Sequence, residues 1–336
     1  MATETFTFPK AFVWRRLHSL FGLWIVIFLI EHLLTNSQAA LLLGENGAGF
    51  IRAVNFIKDL PYLPVVEVAL IGVPILFHGV LGVRYALQGK MNSALGGKKS
   101  PRLAGYPRNH AYSWQRWTSW ILLIGMIAHV AFMRFYMYPA SVDQGELKAY
   151  FVRIDFDSGL YTVADRLGVQ LYNREKIGEV QAQFDREKKK LGELEQKVAR
   201  VRKGSVPYDV YNKEEAALLA RYQALENRAL WVKALTKRVP AVNQVIAEAS
   251  DFGTATLLIV RDAFKSIFKS ILYTIFVLAA VFHAFNGLWT FLITWGVVLK
   301  MRSQSRAVNW CVGVMLVIGA LGLASIWGTY FINLRY

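Results

Sequence analysis

The sequence has a single cysteine and few charged residues, and both shortages exclude classes of protein. Cys311 is the one cysteine among 336 residues, so no intrachain disulfide can form. An iron–sulfur cluster or structural zinc site with all its cysteine ligands from this chain is excluded too. Charged residues make up 18% of the chain, below the roughly 25% typical of soluble proteins. Hydrophobic residues make up 54% and the mean hydropathy is +0.31, which indicates an integral membrane protein.

Acidic residues are scarce outside one internal segment. The formal net charge is +16, and residues 140–265 contain 21 Lys and Arg against 18 Asp and Glu. The rest of the chain contains 18 basic residues against 5 acidic ones. The basic excess therefore belongs to the apolar part of the chain, where it sets membrane topology rather than nucleic-acid binding. We expect no nucleic-acid partner.

Five apolar stretches are long enough to cross a bilayer, namely 17–42, 65–87, 114–138, 267–299 and 308–332. The first exceeds the apolar region of a signal peptide and is expected to be a retained span. Basic residues of the N-terminal segment and of two short loops fall on one side, which predicts a cytoplasmic N-terminus and an extracytoplasmic C-terminus. The sequence predicts an all-α, multi-pass membrane protein, with spans one to three in residues 1–139 and spans four and five in residues 266–336.

Residues 140–265 separate spans three and four and are expected to form an extracytoplasmic insertion. Two heptad patterns predict a pair of coiled-coil helices, one through Ile177, Val180, Phe184, Leu191, Leu194, Val198 and Val201, the other through Leu218, Tyr222, Leu225, Ala229, Val232, Leu235 and Val239. The sequence between them, Gly204 to Pro207, is a breaker, so we expect an antiparallel helical hairpin. A solvated spacer is the expected role, and a partner-docking arm is the alternative.

Four histidines, His32, His78, His129 and His283, each lie inside a different apolar stretch. An ionisable residue inside a membrane is costly and indicates a functional site. Imidazole is a standard axial ligand and each haem iron accepts two, so four such helices predict two b-type haems. Each histidine taken alone is equally compatible with a hydrogen-bonded packing residue.

Further residues refine this prediction. Gly82, Gly125 and Gly287 each lie one helical turn from a membrane histidine, where a missing side chain lets a porphyrin approach the backbone. His18 and His110 lie at the expected ends of spans, and we predict that neither binds iron because haem at the headgroup level would be wet.

Five strings carry a resemblance to a known family: RRLHSLFGL at 15–23, IEHLLTN at 30–36, the segment from Glu67 through His78 ending in PILFHGVLG at 74–82, YSWQRWTSWILLIGMIAHV at 112–130 and VFHAFNGLWTFLITWG at 281–296. They resemble the single-chain, five-helix, two-haem cytochrome b anchor (type B) of bacterial succinate dehydrogenase and fumarate reductase. The strings cover all four histidine-bearing spans in order. The insertion at 140–265 departs from the family, which has a short connection there.

The resemblance implies that His32, His78, His129 and His283 bind two haems b and that His18 does not. It further implies electron transfer between an iron–sulfur subunit and a membrane quinone, of the menaquinone type, in the respiratory chain and tricarboxylic acid cycle. FAD and iron–sulfur clusters would reside in a flavoprotein and an iron–sulfur subunit bound on the cytoplasmic face of the bacterial inner membrane. This chain would contain no dehydrogenase site. Glu67 is a candidate for protonation coupled to quinone, and a solvated helix start is the alternative.

Depth along the helices bears on which histidines share a haem. His32 is 16 residues beyond Arg16 and His129 is 13 beyond Arg116, which places both at a similar depth. His78 is expected nearer the cytoplasm, and His283 is assigned to it by elimination and by the resemblance.

Two alternatives remain open from the sequence. One is a di-haem cytochrome b of another respiratory enzyme, such as the anchor of a formate dehydrogenase or hydrogenase, or a ferric reductase. The other is a haem-free membrane protein that uses the coiled-coil hairpin for assembly.

Overall fold

The computed structural model describes residues 9–40, 47–88, 94–95, 98–99, 107–144, 147–202 and 208–333. These residues form two compact units. The membrane unit comprises the described residues up to 135 and from 263 to 333, and the insertion unit comprises residues 136–262.

In the described part of the chain, five helices are long and apolar enough to cross a membrane. They are α1 (Lys10–Ser37), α3 (Leu63–Gln88), α4 (Pro107–Val130, continued to Tyr136), α9 (Ile267–Thr294) and α10 (Met301–Asn333). The short helix α2 (Ala48–Lys58) joins α1 to α3, and the strand pair β1 (Ala94–Leu95) and β2 (Lys98–Lys99) lies between α3 and α4. The prediction of an all-α membrane protein with five spans is confirmed.

Three of the spans contain a π-helical segment: Glu67–Gly72 in α3, Ala131–Tyr136 in α4 and Ala324–Gly328 in α10. A π turn leaves backbone carbonyls without their usual partner, and such turns occur frequently at functional sites. In α3 the carbonyl of Leu70 accepts a hydrogen bond of 2.5 Å from the Trp24 indole. This hydrogen bond joins α1 to the π-helical segment of α3.

Elements of the insertion unit follow in the order β3 (Ala140–Gln144), β4 (Leu147–Asp155), α5 (Leu160–Leu167), β5 (Gln170–Tyr172), α6 (Arg174–Arg202), α7 (Tyr208–Thr236), β6 (Gln244–Ala249) and α8 (Phe252–Ala263). Four strands form an antiparallel sheet in the order β3-β4-β6-β5. The heptad patterns did not predict this sheet, because β4 and β6 pair across the whole hairpin and such non-local pairing leaves no local signal.

Helices α6 and α7 form the hairpin, and its base contributes to the core of the insertion unit. Ile177, Val180 and Phe184 of α6 pack against a buried cluster that includes Trp231 and Leu235 of α7. The start of α6 therefore meets the end of α7, which is the antiparallel arrangement. The same cluster contains side chains of three strands, Val142, Ala149, Phe151 and Ile246. The hairpin and the sheet thus share one apolar core.

Some heptad positions differ from the predicted seam. Helix α7 ends at Thr236, so Val239 lies beyond it and is 67% exposed. Tyr222 is also exposed, whereas Trp231, which the heptad pattern omitted, is buried. The side chains of Leu194, Val198, Val201 and Leu218 lie outside the described residues.

One carboxylate binds two aromatic side chains of this apolar core. Glu248 of β6 accepts hydrogen bonds from the Trp231 indole at 2.5 Å and from the Tyr172 hydroxyl at 2.9 Å. Burial, together with the Glu248 charge, raises the pKa of Tyr172 above its usual value, so the phenol remains a donor. Glu248 is partly buried, and its two hydrogen bonds link α7 and β5 to the inner strand β6.

Candidate functional site

The four membrane histidines form two pairs. The ring centroids of His32 on α1 and His129 on α4 are 5.9 Å apart, and their planes are nearly perpendicular at 82°. Those of His78 on α3 and His283 on α9 are 6.2 Å apart, with planes at 84°. Each pair joins two different helices, and each brings together the residues that the depth argument and the resemblance placed together.

The spacing of each pair suits one metal atom between two imidazoles. A nitrogen ligand lies about 2 Å from a transition metal, and the ring centre lies about 1 Å further away, so two axial imidazoles have centres roughly 6 Å apart. Both observed separations are close to this value. Among the described residues no cluster of three or more His, Cys, Asp or Glu side chains forms a metal site. Each pair would therefore fit one iron held by its two imidazoles.

Hydrogen bonds occupy the Nδ1 atoms of the second pair. His78 Nδ1 lies 3.0 Å from the His18 carbonyl oxygen, which only accepts, so this nitrogen carries the proton and donates. His283 Nδ1 lies 3.3 Å from the Thr118 hydroxyl, which itself donates to the Trp114 carbonyl at 2.8 Å. Thr118 therefore accepts from His283. In both rings the Nε2 lone pair remains for a ligand, as in metal-bound histidines whose other nitrogen is oriented by a second residue.

The first pair has a different environment. His129 Nδ1 lies 3.1 Å from the Tyr273 hydroxyl of α9. Phe28 lies 5.4 Å from His32, and Phe276 lies 5.9 Å from His129, measured between ring centroids. Aromatic side chains therefore lie beside both rings of this pair, and the hydrogen bond between His129 Nδ1 and Tyr273 adds one polar contact.

The polar surroundings of His283 extend further. Gln115 Nε2 donates to the His283 carbonyl at 3.1 Å, and Asn286 Nδ2 donates to Gln115 Oε1 at 2.7 Å. These bonds join α4 to α9 inside the apolar phase, where interhelical hydrogen bonds help to hold helices together. Sequence reasoning missed Gln115, Thr118, Tyr273 and Asn286. Their polarity within otherwise apolar spans was the available signal.

His18 lies beside the second pair. Its ring stacks on that of His78 with centroids 4.0 Å apart and planes at 9°, and Tyr85 packs edge-on against it at 5.4 Å. No hydrogen-bond partner of His18 Nδ1 lies within the described residues. Its sequence position at a span end gave no indication of this stacking.

Glycines permit two of the close approaches. At Gly22 of α1, an added Cβ would lie 3.0 Å from His78 Cε1, so glycine at this position lets the imidazole approach the helix. At Gly125 of α4 the corresponding space is occupied by the Phe276 ring. The Cβ positions of Gly82 and Gly287 face His18 and Gln115. The sequence had singled out Gly82, Gly125 and Gly287, but it had omitted Gly22.

Glu67 forms an ion pair with Arg134. Glu67 Oε2 lies 3.0 Å from Arg134 Nη2, and the side chains of Glu67 and Arg134 are 35% and 45% exposed. Both residues belong to π-helical segments, and Arg134 lies five residues after His129, roughly 7 Å along the helix axis. Of the remaining sequence candidates, His110 is half-buried near the beginning of α4.

These features define a multi-pass membrane protein whose spans pair four histidines. The chain is similar to the succinate dehydrogenase cytochrome b558 subunit of Bacillus subtilis (strain 168), with 38% identity over 122 residues. The matched region is 36% of this chain and 54% of the relative, so the chain spans about half the length of the curated relative it matches. No family model matches the chain, and no solved structure matches it. The resemblance to a cytochrome b subunit of succinate dehydrogenase is thereby confirmed.

Proposed function

We propose that this chain is the membrane-anchor cytochrome b subunit of a succinate:quinone oxidoreductase. It binds two haems b and transfers electrons between an iron–sulfur subunit and membrane quinone, of the menaquinone type. The observation that carries the proposal is the pairing of four membrane histidines at separations of 5.9 and 6.2 Å. The similarity to a succinate dehydrogenase subunit supports the choice of enzyme.

In this proposal His32 and His129 bind one haem, and His78 and His283 bind the other. A bound haem supplies one-electron redox chemistry. The protein residues supply the ligands and fix their orientation. The His18 carbonyl and Thr118 hold protons on the Nδ1 atoms of His78 and His283, which leaves the Nε2 atoms as the ones that would hold a haem iron. Tyr273 has the corresponding position at His129.

The partners follow from the same proposal. A flavoprotein with FAD and an iron–sulfur subunit bind on the cytoplasmic face, where the positive-inside rule places the N-terminus. The dehydrogenase reaction takes place in those subunits. The His78 and His283 pair lies on the side of the iron–sulfur subunit, since His18, its neighbour, follows the basic residues Arg15 and Arg16.

Glu67 is proposed to exchange the protons that accompany quinone chemistry. Quinone reduction consumes protons, and a carboxylate in a membrane span is suited to supply them. Arg134 holds this carboxylate by an ion pair of 3.0 Å between the two side chains. Glu67 and Arg134 are therefore the first residues to test for quinone reactivity.

Haem stoichiometry tests the central claim. We expect a pyridine haemochrome assay of the purified chain to give two haems b per chain and a low-spin, bis-imidazole optical spectrum. His18→Ala is the matched control, since it removes a neighbouring imidazole that the proposal does not use as a ligand. It should retain both haems. One haem or none in the unmodified chain would contradict the proposal, and none would favour the haem-free assembly protein.

The choice of enzyme is tested separately. Mass spectrometry of the purified complex should identify a flavoprotein and an iron–sulfur subunit, and succinate should reduce the haems. Two haems with reduction by formate or hydrogen instead of succinate would assign the chain to another respiratory enzyme.

A further inference from the structure

The insertion unit exposes large apolar side chains at one end of its sheet. Val242 is 95% exposed, Val239 67%, Tyr161 64% and Phe156 46%. We call these four residues the apolar rim. Exposed apolar residues that lie together on an otherwise polar surface indicate an interaction site.

The rim residues lie together because the sheet brings their segments together. Phe156 follows the last residue of β4, and its N–H donates to the Asn243 carbonyl at 2.8 Å, beside Val242. The rings of Phe156 and Tyr161 meet edge-to-face with centroids 5.5 Å apart. Val239 and Val242 flank the turn that precedes β6, where Pro240 is buried and accepts a hydrogen bond from Arg174 at 2.9 Å. This hydrogen bond holds the turn in place, and the side chains of Val239 and Val242 on either side of it are exposed.

The chain enters and leaves the insertion unit at this same end of the sheet. Tyr136, the last residue of the third span, contacts Arg153 of β4 and Arg238, which precedes Val239. At the C-terminal end of the insertion unit, the Asp262 carboxylate accepts a hydrogen bond of 2.9 Å from the backbone N–H of Asp155. The neighbouring Arg261 forms an ion pair with Asp157 through two hydrogen bonds of 2.8 Å. Asp262 is followed, five residues later, by Ile267 at the start of α9.

We propose that the apolar rim inserts into the interfacial layer of the bilayer and holds the insertion unit on the lipid surface. We assign lipid as the partner of the rim because, within the insertion unit, the rim residues lie near the residues that connect to two membrane spans. The composition also fits, since aromatic and aliphatic side chains enter the headgroup layer while Arg153 and Arg238 supply positive charge for lipid phosphates. This inference requires a membrane protein and is independent of the haem proposal.

Spin labelling of the full chain tests this inference. In a Cys311→Ala background, Val242→Cys carries a nitroxide, and the protein is placed in nanodiscs of phosphatidylethanolamine and phosphatidylglycerol. Leu219→Cys is the matched control, because Leu219 is 62% exposed on the hairpin helix α7. The rates of collision with oxygen and with a water-soluble nickel chelate are measured by power saturation.

Lipid insertion should raise the ratio of oxygen to nickel collisions several-fold at Val242 relative to Leu219, because oxygen concentrates in the apolar phase. Phe156→Cys should give the same result, and it replaces Val242→Cys in the experiment if the Val242 variant does not assemble. Equal ratios at Val242 and Leu219 would show the rim in water and would overturn the proposal. Protection from both reagents would show a protein contact, with a second copy or a partner, and would overturn it as well.

Discussion

The two histidine pairs of the membrane unit are similar in spacing and different in surroundings. At His78 and His283 both Nδ1 atoms are hydrogen-bonded, and the His18 ring stacks on one of them. At His32 and His129 the neighbours are mainly aromatic, and one hydrogen bond joins His129 Nδ1 and the Tyr273 hydroxyl. If the two pairs hold haems as proposed, this difference would give two haems of the same ligand type different potentials, because hydrogen bonding and burial around the ligands tune them.

Removal of a ligand should have the largest effect and tests the pairing itself. We expect each of His32→Ala, His78→Ala, His129→Ala and His283→Ala to lose one of two haems. Redox titration should show that His32→Ala and His129→Ala lose the same component, and that His78→Ala and His283→Ala lose the other. If His32→Ala and His78→Ala removed the same component, the pairing would be wrong.

Neutralising Glu67 tests whether quinone chemistry belongs to the end of the bundle that contains Arg134. We expect Glu67→Gln to lower quinone turnover at least tenfold while both haems remain, because the amide cannot exchange a proton. Glu31→Gln is the control, since Glu31 adjoins His32 but hydrogen-bonds to Thr35 in its own helix. Unchanged turnover in Glu67→Gln, measured with succinate and a soluble quinone, would refute the assignment.

Removing single hydrogen bonds should distinguish the two histidine pairs by the potentials of their haems. Tyr273→Phe removes the partner of His129, and Thr118→Val removes that of His283. A lost Nδ1 partner makes the imidazole less basic and should raise the potential of its own haem by up to about 40 mV, equivalent to about 1 kcal/mol. Potentiometric titration with both variants checks this. Equal shifts of both haems in either variant would show that the sites are not independent.

Shortening the hairpin should have the smallest effect and should leave the comparison between the pairs unchanged. A Gly/Ser linker in place of residues 189–225 removes the outer part of α6 and α7 but retains Phe184, Trp231 and Leu235 in the core. Haem content and both potentials should remain as in the full chain. As a contrast, Trp231→Ala should destabilise the insertion unit by about 3 kcal/mol, measured by thermal unfolding.

The sequence supported the five spans and their histidines because long apolar runs and isolated ionisable residues are local signals. It did not indicate the sheet, because β4 and β6 are separated by the hairpin and pair only after folding. It also missed the contacts of Thr118 and Tyr273 with ring nitrogens, since these depend on how helices are rotated towards each other. His18 illustrates the limit most clearly, because its ring stacks on a residue 60 positions away.

The antiparallel pairing of β4 with β6 has an evolutionary consequence. Tyr136 contacts Arg153, and Asp262 contacts Asp155, so the two chain crossings meet the same strand two residues apart, roughly 7 Å along it. A segment whose ends lie so close together can be gained or lost in a single genetic event without separating the helices that it joins. The insertion unit of 127 residues, Tyr136 to Asp262 inclusive, is therefore a segment whose two ends meet at one strand.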